Sequence, residues 1–80
     1  MSAPILPSGW KPHPAGGMQK TFLFPDFQTA LEFINRVAAA AEQEGRYPEL
    51  HLGWGRADVG GLFLSDSGLA ARIDDLFFRR

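Results

Sequence analysis

Hydrophobic and polar positions along the chain alternate with two different periods. Between residues 27 and 44, apolar residues recur every three or four positions, which is the spacing of one helix face. The predicted stripe comprises Phe27, Ala30, Leu31, Ile34, Val37, Ala38 and Ala41. Asp26 precedes the segment as an N-cap residue, and Gly45 follows it as a residue suited to a left-handed C-cap. The pattern therefore predicts an amphipathic helix over residues 27–44 that packs on a sheet.

Strand signals lie on both sides of this helix. Residues 18–24 alternate and become aromatic, with Phe22 and Phe24 on one side and Thr21 on the other, so they predict a strand. A second short strand is predicted where Leu50, Leu52 and Trp54 alternate. Glycines at 53, 55, 60 and 61 indicate bulges, tight turns or a hairpin there. Residues 62–64 are either a further short strand or a loop.

The two ends of the chain differ in character. Residues 1–17 are rich in proline and glycine and are predicted to be irregular, with residues 1–8 flexible and Trp10 anchored on the core. Near the other end, Ser65 or Asp66 is predicted to cap a second helix. Its apolar stripe comprises Leu69, Ala70, Ile73, Leu76 and Phe77. The element order predicts an α+β fold, with a small antiparallel sheet and two amphipathic helices on one face.

Composition limits the classes of function. The chain has 80 residues, no cysteine, two histidines and a net charge of −1, which fits one domain spanning residues 1–80 in the cytoplasm. We expect no metal, no cofactor, no nucleic-acid partner and no membrane span, and the N-terminal segment does not resemble a secretory signal. A domain this small usually needs disulfides, a metal site or self-association to be stable, and of these self-association is the one that the composition leaves open. A homo-oligomer, in the first instance a dimer, is therefore predicted.

Candidate chemistry is sparse. His13 and His51 have no fixed spacing, so surface or interface roles are favoured over catalysis. Arg46 and Tyr47 follow the long helix directly and are either part of a turn or part of an interface, since both residue types are enriched at interfaces. Trp54 stands between two glycines and fills either the core or a contact surface. Two adjacent carboxylates at positions 74 and 75 are assigned to a solvated helix face.

The order and spacing of many short motifs resemble the pterin-4a-carbinolamine dehydratase family over nearly the whole chain. The matching segments are Gly9-Trp10, Phe22–Phe27, Phe33, Arg36–Ala38, Ala41-Glu42, Arg46–Glu49, Gly61-Leu62, Asp66, Leu69-Ala70 and Ile73-Asp74. The resemblance implies the dehydratase-like α+β fold.

The departures from the family pattern suggest a different activity. Arg46 stands where the resemblance implies the first catalytic histidine, and arginine cannot act as a base near neutral pH. Tyr47 occupies the second histidine position, and Ala57 aligns with a third, leaving Asp58 beside it. The stretch between residues 48 and 61 is also shorter than in the enzymes. These departures imply a family fold without catalytic residues, and therefore a protein that is not an enzyme.

A branch of the family fits these departures. Arg46–Glu49 and the following Gly53–Gly55 segment resemble the inactive alpha-carboxysome Rubisco assembly factors. The resemblance implies an assembly chaperone that binds the Rubisco large subunit, in the cytoplasm and in association with carboxysomes. We assign Arg46, Tyr47, Trp54 and Arg56 as the predicted partner-binding residues.

Two alternatives stay open. The first is a dehydratase with a rearranged active site that uses His51 with Asp58. The second is a cofactor that stabilises the dimer of another protein, as some members of the family do.

Overall fold

A single antiparallel sheet organises the chain in a computed structural model that describes residues 6, 7 and 9–79. The elements in chain order are β1 (Lys11–Pro12), β2 (Met18–Leu23), α1 (Phe27–Glu44), β3 (Glu49–Gly53), β4 (Arg56–Leu62), a 3-10 turn (Leu64–Asp66) and α2 (Ser67–Phe78). The strand order is β1-β2-β4-β3. Both helices pack on one face of this sheet, as the sequence predicts. The predicted flexibility of residues 1–8 falls largely outside the described residues.

The two faces of the sheet differ in polarity. Phe22, Ala57 and Val59 are buried and point toward the helices, whereas Thr21 and Asp58 lie on the opposite, open face, because successive strand residues alternate between faces. A bulge interrupts the pairing of β2 with β4 between Met18 and Lys20. The open face is therefore the polar face, and we call it the outer face below.

Aromatic rings fill the space between the sheet and the helices. Phe22 and Phe33 have ring centroids 4.8 Å apart, Phe24 and Phe33 5.1 Å apart, and Phe24 and Phe77 5.4 Å apart. Rings at these distances gain attraction beyond the burial of their apolar area. These four rings link β2, α1 and α2 into one core.

Trp10 anchors the N-terminal segment on this core, as predicted. It is buried, and its ring meets Phe22 edge-on. Its Nε1–H donates to Asp74 Oδ2 at 3.2 Å, while Lys20 Nζ donates to Asp74 Oδ1 at 2.6 Å. The assignment of Asp74 to a solvated helix face is therefore wrong, because α2 turns this carboxylate toward the Trp10 and Lys20 donors. Asp75 instead pairs with Arg79 at the surface.

Helix α1 has the predicted bounds because both of its caps are local. Asp26 Oδ1 accepts the Thr29 N–H, and Gly45 adopts φ 67°, in the left-handed region. The buried stripe is shifted slightly from the prediction: Phe33 and Ala40 are buried, whereas Phe27 and Ala38 are exposed. The stripe turns in this way because α1 must cover both the sheet and α2.

The Asp26 cap provides a prediction on stability. The Thr29 backbone N–H donates to the Asp26 carboxylate at 2.7 Å and lowers the pKa of that carboxyl below its ordinary 3.8. The cap therefore stabilises the fold above pH 3.8, and this stabilisation is lost as the pH falls through the lowered folded pKa. Asp26→Ala should lower the Tm at neutral pH, measured by circular dichroism. Asp26→Asn should retain most of the cap without this pH dependence, and an unchanged Tm for Asp26→Ala would contradict the role.

The stretch that follows α1 is more regular than the sequence predicts. Strand β4 extends from Arg56 to Leu62 despite Gly60 and Gly61, and Trp54 lies in the turn between β3 and β4 rather than in a strand. Gly60 carries no side chain into the outer face, where a Cβ would lie 3.1 Å from the His13 ring. The glycine thus makes room for a packed ring, and the strand continues through it.

Candidate functional site

The four predicted partner-binding residues divide into two pairs at opposite ends of β3. Arg46 and Tyr47 precede the strand, whereas Trp54 and Arg56 follow it. A strand of five residues spans roughly 17 Å. The structure therefore separates the two pairs, and the four side chains do not form one patch.

Arg46 lies against the start of α2. Its Nε is 3.3 Å from Asp66 Oδ1, while the other oxygen, Oδ2, accepts the Phe63 N–H at 3.0 Å. Asp66 is buried, and within the described part of the chain its Oδ1 has no hydrogen-bond partner. Arg46 therefore supplies the nearby charge that a buried carboxylate needs. This ion pair joins Arg46 and Asp66, two of the family-like positions that lie far apart in the sequence.

The aromatic residues of the two pairs are open to solvent. Tyr47 is 70% exposed and Trp54 is 78% exposed. The suggestion that Trp54 fills the core is therefore wrong, because the β3–β4 turn carries the indole away from the helices. Both residues are available for contacts with another molecule.

A row of three polar residues crosses the outer face. Antiparallel pairing places Asp58 on β4 directly between Thr21 on β2 and His51 on β3. Directly opposite residues of an antiparallel pair point to the same face, with Cβ atoms roughly 4.5–5.5 Å apart. The pairing thus brings an exposed imidazole next to a carboxylate, which is the arrangement that supports acid–base chemistry.

A hydrogen bond and an ion pair hold the carboxylate in this row. Thr21 Oγ1 donates to Asp58 Oδ1 at 2.6 Å, and Arg56 Nε lies 3.2 Å from Asp58 Oδ2. Both oxygens therefore have a partner in the protein, one a hydroxyl and one a guanidinium group, and these two contacts orient the side chain. His51 lies on the third strand with its ring exposed to solvent. A small molecule can reach the imidazole from the open side.

His13 is held differently. Its Nδ1 accepts the Ala15 N–H at 3.0 Å, and its ring packs over Gly60. One ring nitrogen is therefore occupied by a local backbone group. Of the two histidines, only His51 stands directly opposite a carboxylate.

A hollow of about 230 Å³ adjoins the row at Thr21. It is lined by Gly9, Lys11, Gln19, Lys20 and Thr21. This volume is below the range of typical enclosed ligand sites, and the row itself lies on the open face of the sheet. Within residues 6, 7 and 9–79, no group of three or more acidic or histidine side chains is placed to hold a metal ion.

Sequence reasoning alone misses part of this site. The alternation in β2 places Thr21 on the side opposite to Phe22, and that is the one signal available for it. Its partner Asp58 is 37 residues away, and only the register of β2 with β4 joins them.

None of the described helices could cross a membrane.

Comparison with known proteins identifies the family. The family model described as pterin 4 alpha carbinolamine dehydratase matches residues 2–76. A Rickettsia bellii protein named "Putative pterin-4-alpha-carbinolamine dehydratase" is 40% identical over 76 residues, covering 86% of this chain and 67% of the relative. A Chlorobium limicola protein of the same name is 46% identical over 66 residues, covering 74% and 58%. The match thus spans 67% of the length of the first relative and 58% of the second.

A solved structure agrees with the fold. The chain is similar to a crystal structure described as a transcriptional coactivator/pterin dehydratase from Brucella melitensis, with a TM-score of 0.74 and 26% identity. The match covers 88% of this chain and 83% of that one. The predicted α+β fold, with its antiparallel sheet and two helices, is confirmed.

The comparisons also correct the prediction that the protein is not an enzyme. Relatives at 36–46% identity carry the name of a dehydratase, and this name points to enzymatic activity. The absence of histidine at positions 46, 47 and 57 is therefore insufficient ground for excluding enzymatic activity. None of these matches carries the name of a Rubisco assembly factor. The chain belongs to the pterin 4 alpha carbinolamine dehydratase family.

Proposed function

We propose that the protein catalyses the dehydration of a pterin-4a-carbinolamine, with His51 as the group that transfers protons. The observation that carries the proposal is the register that sets His51 directly opposite Asp58. Membership of a dehydratase family supports the reaction type. Arg46, at the position of the family's first histidine, retains its proton near neutral pH and cannot serve as the base.

Asp58 has a positioning role in this proposal. Thr21 and Arg56 hold its two oxygens, so the carboxylate presents a fixed negative charge to the imidazole on the neighbouring strand. A fixed carboxylate can orient a neighbouring histidine ring. We expect Asp58 to support proton transfer by His51 without accepting the substrate's proton.

The chemistry requires one acid and one base. A carbinolamine bears a hydroxyl and an amine nitrogen on the same carbon. Protonated His51 donates a proton to the hydroxyl as the C–O bond breaks, and the nitrogen lone pair forms the new C=N bond. Neutral His51 then accepts the proton that the nitrogen loses. Water and the dehydrated pterin leave, and the imidazole returns to its starting state.

The rate of dehydration of a freshly generated 4a-hydroxytetrahydropterin tests the activity. Purified protein should accelerate the reaction above the spontaneous rate, and the acceleration should saturate with substrate. An equal amount of heat-unfolded protein serves as the control. A rate equal to the spontaneous one at all protein concentrations would contradict the proposal.

A second candidate function is binding of the Rubisco large subunit during its assembly. It is supported by the exposed Tyr47 and the adjacent Arg46, since tyrosine and arginine are common anchors of interfaces. The sequence resemblance to the assembly factors supplies the partner. This role would bring the protein to carboxysomes in the cytoplasm, and it leaves the outer face free for catalysis.

Co-expression tests this second function. Large and small Rubisco subunits from an alpha-carboxysome bacterium should give more holoenzyme on native gels when the protein is present. Tyr47→Ala should weaken the complex with the large subunit by about tenfold or more, without loss of the circular dichroism spectrum. Phe63→Ala, at the same end of the molecule, is the matched control. Equal complex formation by the Tyr47 variant and the wild type would remove Tyr47 from the contact.

A further inference from the structure

The hollow beside Thr21 differs from the rest of the outer face in its charge. The residues that line its volume of about 230 Å³ are Gly9, Lys11, Gln19, Lys20 and Thr21. Two of these side chains end in an ammonium group and one in a carboxamide, and none of the lining residues is acidic. An ammonium group can only donate hydrogen bonds. The composition of this lining therefore favours an anionic ligand over a cation or an apolar group.

Lys11 supplies a positive charge that no carboxylate of the described residues neutralises. The ion pairs among these residues engage Lys20 and several arginines, and Lys11 takes part in none of them. Antiparallel pairing sets Lys11 directly opposite Gln19, so both side chains point to the same face of the sheet. The exposed ammonium group of Lys11 is therefore available to a ligand in the hollow.

The remaining donors of the hollow are already held in place. Lys20 Nζ donates to Asp74 Oδ1 at 2.6 Å, and the Lys20 side chain is 19% exposed. Gly9 leaves room for this ammonium group, because a Cβ there would lie 2.8 Å from Lys20 Nζ. Gln19 Nε2 donates to the Pro12 carbonyl at 3.1 Å, and its carboxamide has a second N–H. Groups that are fixed before binding lose little conformational entropy when a ligand arrives.

Thr21 connects the hollow with the row of polar residues. Its side chain lines the hollow, and its Oγ1 donates to Asp58 Oδ1. Thr21 and His51 lie on either side of Asp58, and neighbouring strands are roughly 5 Å apart, so the hollow begins roughly 10 Å from His51. The reacting carbon of a pterin carbinolamine and the carbon that bears its side chain are separated by one nitrogen. A side chain a few bonds long therefore spans the distance from His51 to the hollow.

We propose that the preferred carbinolamine bears an anionic group, a phosphate or a carboxylate, at the end of its side chain, and that the hollow binds this group. The inference rests on the proposed dehydratase function, which places the reacting carbon at His51. Lys11 donates a charge-assisted hydrogen bond to the anion, and Gln19 donates a neutral one. The anion is bound alike in the substrate and in the transition state, so the hollow lowers KM rather than raising kcat.

Initial rates with three carbinolamines test the preference. The three differ only at the end of the side chain, which carries a hydroxyl, a phosphate ester or a carboxylate. At low salt, an anionic substrate should have a KM about fivefold lower than the neutral one, with a similar kcat. Raising the salt concentration should weaken this preference, because the Lys11 charge is exposed to solvent. The anionic substrate with the lower KM identifies the group that the hollow binds.

Substitution of Lys11 locates the preference. Lys11→Gln removes the charge from an exposed position of the edge strand β1 and should abolish most of the preference, whereas Lys11→Arg should retain it. Arg36→Gln is the matched control, since it removes one exposed positive charge from α1, on the other side of the sheet. This control should keep the wild-type preference. Circular dichroism confirms that the variants remain folded.

Equilibrium binding separates this inference from the proposed reaction. Oxidised pterins with the same three side-chain ends cannot be dehydrated, and their own fluorescence reports binding to the protein. Tighter binding of an anionic pterin that Lys11→Gln abolishes would support the inference even if the protein accelerates no dehydration. Dehydration without any preference for an anionic side chain would leave the proposed function intact and overturn the inference. A preference that survives in Lys11→Gln, or no binding of any pterin, would overturn it as well.

Discussion

Replacing His51 by Gln is expected to lower the rate of carbinolamine dehydration by about 100-fold or more, the usual contribution of a general acid–base residue. Glutamine retains a polar side chain of similar size but cannot exchange a proton near neutral pH. The substitution lies on an exposed strand position, so the fold should persist. Initial rates at saturating substrate give the effect on turnover directly.

The second histidine provides the matched control for this experiment. His13 lies on the same face, yet its Nδ1 is occupied by the Ala15 N–H. His13→Gln should therefore leave turnover close to the wild-type value. Equal losses for both substitutions would indicate a general change of the outer face. A wild-type rate for His51→Gln would show that another group transfers the protons.

Truncating Phe33 to Ala should destabilise the fold by about 3–5 kcal/mol, the usual cost of removing a buried phenylalanine. Its ring contacts Phe22 in β2, Phe24 just after that strand, and Phe77 in α2. The substitution therefore leaves a cavity at the point where the sheet and both helices meet. Small domains have few kcal/mol to lose, so the variant should be largely unfolded at 37 °C.

Urea unfolding followed by circular dichroism measures this effect. Phe33→Leu should remain folded with a smaller loss, so the series stays informative even if the Ala variant does not fold. Phe63→Ala, which removes a mostly exposed ring, should change the free energy of unfolding by less than about 1 kcal/mol. If Phe33→Ala also lowered the free energy of unfolding by less than about 1 kcal/mol, the central position of the Phe33 ring in the core would be contradicted.

The features that the sequence predicts well are set by neighbouring residues. Helix α1 begins after Asp26 and ends before Gly45. Each of these cap residues makes its hydrogen bonds to backbone groups only three or four positions away. Strand β2 follows from simple alternation. Strand β4 is harder to predict, because Gly60 and Gly61 weaken the strand signal in the sequence. The His13 ring that packs over Gly60 comes from a distant part of the chain, so local sequence does not indicate why a glycine lies there.

The candidate site depends on pairings that only the folded chain reveals. Asp58 could be singled out from the sequence as a surviving acid, and His51 as one of two histidines. Asp58 and His51 lie directly opposite each other only because of the register of β3 with β4. The contact of Asp58 with Thr21 depends in the same way on the register of β2 with β4. Trp54 was equally compatible with core and surface, because the turn that exposes it is defined by the pairing of Gly53 with Arg56.

Chemical rescue tests the central claim most directly. His51→Ala leaves an open position on the outer face, and added imidazole can reach it from solvent. The account predicts that the low dehydration rate of this variant rises in proportion to imidazole concentration, whereas the wild type and His13→Ala respond only as the spontaneous reaction does. A His51→Ala variant that dehydrates the carbinolamine as fast as the wild type, or that imidazole fails to restore, would contradict the account.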